Sequence, residues 1–142
     1  MRDMRNLHLK LQEMCDCFLN TDPMHEFPSV HQESDTEEAA LKWLALAILH
    51  GLNENAQKVT LNQEDESITL KIKYRPDSLL VPKKDVAQEI VHTVEHILHQ
   101  EGQEKGNLPL ALGIHESSVN LELKFKEKEN KRKMSIEFPK LP

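Results

Sequence analysis

The sequence predicts an α+β domain, a two-layer sandwich in which an antiparallel sheet of two hairpins is covered on one face by two long helices. An N-terminal helical arm precedes it. Three observations carry this prediction. The stretch "AALKWLALAILHGL" is apolar nearly all round, as a helix buried on most sides must be. The stretch "SITLKIKYR" alternates, with Ile68, Leu70, Ile72 and Tyr74 on one face and Thr69, Lys71, Lys73 and Arg75 on the other. The patterns also run in the order helix, hairpin, helix, hairpin, which suits an antiparallel sheet with helices on one side.

In chain order, Met4, Leu7, Leu11, Met14 and Phe18 repeat at a helical period, giving the amphipathic arm over residues 1–20. Residues 21–34 carry two prolines, several charges and no period, and are expected to be a linker. The domain proper is expected over 35–142. Its first helix has a start signal in Ser34 or Asp35, followed by Glu37 and Glu38, acidic residues at the positive end of the helix dipole. "KVTLN" and "SITLKIKYR" then flank the turn "QEDE", and Pro76 ends the second strand. A second long helix is expected from about Lys83 to Gln100, with Gly102 as its stop. After the extended piece "LPLALGI", a second hairpin puts Val119, Leu121, Leu123 and Phe125 on one face and Met134, Ile136 and Phe138 on another. The charged stretch "KEKENKRK" is its tip.

At 142 residues with 38% apolar and 30% charged content, the chain can bury a core of ordinary size. A net charge of −6 argues against nonspecific attraction to nucleic acid or anionic membranes. Only 4% of residues are aromatic, too few for a base-stacking platform. No stretch approaches the ~18 apolar residues of a membrane span, and the opening "MRDMRNLHLK" lacks the features of a signal peptide. Cys15 and Cys17, two residues apart on a helix, point to different faces and are expected to be reduced thiols. A cytoplasmic location is the expectation that follows.

Two constellations stand out. On the second long helix, His92, His96 and His99 are spaced by four and three, opposite the apolar stripe Val86, Ile90, Val94 and Ile97. Imidazoles at i and i+4 can hold Zn or Ni. With no glutamate placed as in HExxH, the reading favoured here is a solvated face with adventitious metal at most and no resident cofactor. The second constellation is the basic strand face Lys71, Lys73 and Arg75, followed by Asp77, which can face a phosphate or an acidic partner. No GxxxxGK[ST], no GxGxxG and no nucleophile–base arrangement occurs in the sequence, so the chain is expected not to be an enzyme.

The second constellation sits in "ALKWLALAILHGLNENAQKVTLNQEDESITLKIKYRPDSLL". This stretch resembles the non-catalytic N-terminal domain of type II secretion and type IV pilus assembly ATPases, whose hairpin strand reads like "LRVRYRVDGVL". Lys71 stands on the first basic position, Lys73, Tyr74 and Arg75 on "RYR", Asp77 on the aspartate, and Leu79 and Leu80 on the closing apolar pair. The resemblance implies an interaction or regulatory module whose protein partner is a secretion or pilus motor component. Lys73 and Arg75 would then approach nucleotide held by a motor on another chain. Two other classes stay open: a metal-binding or metal-sensing protein using the histidines, and a small acidic inhibitor of immunity type. A homodimer through the N-terminal helix is a further expectation.

Overall fold

The computed structural model describes residues 7–53, 56–64, 67–73, 83–97, 105–114, 117–128 and 131–139. The fold is α+β. Helix α1 (Leu7–Phe18) leads through two one-turn helices, α2 (Pro23–Glu26) and α3 (Pro28–Gln32), into the long helix α4 (Thr36–Asn53). The hairpin strands β1 (Lys58–Glu64) and β2 (Ser67–Lys73) follow, then α5 (Lys84–Ile97), β3 (Lys105–Ile114), β4 (Ser117–Lys128) and β5 (Lys131–Glu137). All strand pairs are antiparallel, in the order β2-β1-β5-β4-β3. Both expected hairpins are present. "LPLALGI" adds a fifth strand, and β5 joins the hairpins into one sheet by pairing with β1.

Helix α4 is capped by Asp35, whose Oδ1 accepts the backbone N–H groups of Glu37 (2.9 Å) and Glu38 (3.4 Å). From Ala39 to Gly51 every residue except Lys42 is buried. One helix is enclosed this way only if it has neighbours all round. Helices α5, α1, α2 and α3 all pack against it, and β1 touches it as well. At its C-terminal end the ring of Phe138 lies so close to Gly51 that a Cβ there would overlap it.

The N-terminal arm docks on this helical layer. Leu7, Leu11 and Cys15, spaced by four, are at most 1% exposed and belong to the main core. Burying each leucine contributes about 1.5–3 kcal/mol. Residues 21–34, expected as a linker, hold α2 and α3. Pro23 and Pro28 open these helices because proline's fixed φ and missing N–H suit a first helical position. Phe27 is buried between them and meets Trp43 edge-on, with ring centroids 6.4 Å apart at 61°.

Helix α5 lies on the sheet, touching β1, β4 and β5. Its buried set is wider than the expected stripe. Ala87, Val91 and Thr93 join Val86, Ile90 and Val94, because α4 covers a second flank of the helix. The sheet's inner face is apolar in rows: Val59 pairs with Ile136 and Ile136 with Leu123, while Leu61 pairs with Met134 and Met134 with Phe125. All six are at most 3% exposed.

One edge of the sheet is closed by side chains. Gln12 Nε2 donates to the Gly113 carbonyl (2.8 Å) while Gly113 N donates to Gln12 Oε1 (2.7 Å). Four residues earlier, His8 Nε2 donates to the Ala111 carbonyl at 2.9 Å. The rise of one helical turn is close to that of two strand residues. Two side chains of α1 can therefore meet successive free groups of β3, as a neighbouring strand would.

Candidate functional site

Strand alternation that buries the apolar rows sends their neighbours to the opposite, open face. Register places those neighbours in cross-strand rows. The first runs from Lys73 (β2) through Lys58, Glu137 and Glu122 to Pro109 (β3). The second runs Lys71, Thr60, Ser135, Lys124, Asn107. The third runs Thr69, Asn62, Lys133, Lys126, Lys105, and the fourth Ser67, Glu64, Lys131, Lys128. Nine positions on this face are lysine and three are glutamate. A +6 face on a chain of net −6 leaves the remainder at −12.

The rows differ in how their charge is compensated. Glu137 is held between two lysines, with Oε2 2.9 Å from Lys124 Nζ and Oε1 3.9 Å from Lys58 Nζ. The hydrogen bond from Lys124 holds the Glu137 carboxyl below the usual carboxylate range, with the Lys124 and Lys58 charges acting the same way. The same bond raises Lys124 above an ordinary lysine. Glu64 accepts a bridge of 3.4 Å from Lys131. Between these rows, Lys126 and Lys133 face each other directly across β4 and β5, both exposed. Lys105 is the register partner on the other side of Lys126. Like charges directly opposite are destabilising in an antiparallel pair, and no glutamate interrupts this row.

The open face is polar at its centre. Thr60 and Ser135, side by side, are 7% and 3% exposed, small side chains sheltered between longer ones. Among the described residues the face carries no aromatic ring and no arginine. A cavity of about 410 Å³ lies at one end, lined by Asn120, Leu121, Glu122, Glu137, Phe138 and Pro139. Among the described residues its lining offers the carboxylates of Glu122 and Glu137, with no nucleophile or imidazole.

Of the residues singled out from sequence, Lys71 and Lys73 lie on β2, in register with Thr60 and Lys58 on the edge of the basic face. Arg75 and Asp77 lie outside the described residues. His92 and His96 are on α5, and His92 is half-buried; His99 lies outside the described residues. No group of three potential metal ligands occurs among the described residues. Neither cysteine is in a disulfide; Cys17 is exposed, while burial, with Asp16 adding to it, pushes the Cys15 thiol up to about 12.

The stretch "KEKENKRK", expected as a charged hairpin tip, instead continues the two strands, with Lys126 and Lys128 in β4 and Lys131 and Lys133 in β5. Their alternation with Leu123, Phe125, Met134 and Ile136 is the signal that sets them on one face. Among the described residues no helix is long and apolar enough to cross a membrane. No protein-family model matches the chain, and none of the curated proteins matches it.

Proposed function

We propose that the protein is a non-enzymatic interaction module that binds an acidic protein surface through the open face of its sheet. One observation carries this reading: the uninterrupted Lys133–Lys126–Lys105 row on a chain that is acidic overall. Repulsion within that row costs stability in the free protein and is relieved when carboxylates of a partner lie over it. A face without aromatic rings among the described residues favours carboxylates over stacked bases. The −12 remainder repels nucleic acid while leaving a protein with a local acidic patch free to dock. A secretion or pilus motor component with such a patch is one partner of this chemistry, since Lys71 and Lys73, the residues of the family resemblance, border the same face.

Polyglutamate serves as a probe. Fluorescence anisotropy of labelled polyglutamate should report binding to the wild-type protein at low salt and its loss at high salt. The double substitution K126E/K133E should abolish binding while leaving the circular dichroism spectrum unchanged. Equal binding by wild type and variant, or none by the wild type, rejects the reading.

A further inference from the structure

The acidic remainder is not spread evenly. Between Leu7 and Glu38 eight carboxylates stand against one lysine. This segment forms α1, α2, α3 and the start of α4, with Glu13, Asp16, Asp22 and Asp35 exposed. Helices α1–α3 pack on α4, and α4 packs on α5, which touches β1, β4 and β5. The acidic surface therefore lies on the helices, with α1 reaching the β3 edge of the sheet, and the lysine rows lie on the open face of the sheet.

We infer that a second copy of this chain is a partner of the lysine face, docking its acidic α1–α3 side on the sheet in a head-to-tail contact. The inference rests on the proposed function and names the occupant of that face. The two surfaces are different, so the contact is heterologous: the pair keeps one free face of each sign and can add a further copy at either end. Seven residues along five strands give a face of roughly 24 Å by 23 Å from strand spacing and rise. That extent suits a transient contact rather than an obligate one. Attraction between the opposed faces reaches ~30 Å at 0.01 M salt and only ~3 Å at 1 M, so assembly is salt-sensitive.

Sedimentation velocity of the full chain tests this with two charge-swapped variants, K126E/K133E on the sheet and E13K/D16K on α1. The wild type should sediment faster as its concentration rises at low salt and return to monomer at 1 M. Each variant alone should remain monomeric. Their equimolar mixture should give a heterodimer that grows no further, because each partner supplies the face the other lacks. E13Q/D16N, which removes charge without reversing it, replaces the α1 variant if that variant does not fold. A wild type that stays monomeric at low salt, or a mixture that forms no dimer, overturns the inference. Polyglutamate separates the two failures. If wild type and E13K/D16K both bind it without self-association, the second copy is wrong and the acidic-partner reading stands. If the wild type does not bind it, both fall.

Discussion

The two faces of the sheet are made by the same strands, residue by alternate residue, yet they answer to different constraints. On the inner face Val59, Ile136 and Leu123 form a row closed over by α5. One residue along, Lys58, Glu137 and Glu122 form a charged, half-exposed row on the other face. Burial makes the first row intolerant of lost volume, whereas screening by water makes individual charges in the second nearly interchangeable for stability. Stability and recognition are thus separated by a single step along the chain.

The sharpest break in this contrast is Leu123→Ala. It should cost about 2–5 kcal/mol in urea denaturation by leaving a cavity beneath α5. Gly51→Ala should cost about 1–3 kcal/mol, since the added methyl must displace the Phe138 ring; Phe138→Leu in the same background should restore part of the loss. Gln12→Ala removes both bonds to Gly113 at an exposed edge and should cost about 1 kcal/mol. Hydrogen exchange at the Gly113 amide should quicken at the same time. Glu137→Gln should have a smaller effect, visible mainly in its pH dependence. The wild-type Glu137 carboxyl titrates below its usual range, so the pair's contribution is present at neutral pH and fades as pH falls through the folded-state value. Lys124 titrates above its usual range, so the contribution is also lost as pH rises through that value. The variant's stability curve should be flatter at both ends. Lys126→Ala should leave the denaturation midpoint unchanged or slightly raised, while weakening polyglutamate binding. A marked loss of stability there would erase the distinction between the faces.

Much of the architecture was legible because it depends on local periodicity. The enclosed character of α4, the Asp35 cap and the alternation of β2 can each be read within about 15 residues. The insertion of β5 between β1 and β4 was not legible. Pairing Val59 with Ile136 joins residues 77 positions apart, and nothing in either strand names its partner. The lysine rows share that limit, since a row exists only once register is set. Helices α2 and α3 were hidden because proline punctuates a loop and opens a helix equally well. On α5, His92 is half-buried although it lies off the expected apolar stripe, a tertiary effect outside the helix's own sequence.

The position of β5 in the sheet bears on how the molecule comes to exist. Among the described strands, the central one follows all the others in sequence and so leaves the ribosome after them. Until residues 131–137 emerge, β1–β2 and β3–β4 are separate hairpins, each with an unpaired backbone edge and an apolar face. A nascent chain halted before Lys131 therefore has two exposed sheet edges pointing at each other's missing partner, which is the geometry that invites pairing with another chain. Removal of residues 131–142 should accordingly leave not a shortened domain but an aggregating one, and quality control acting on this protein should discriminate chains that carry β5 from those cut just before it.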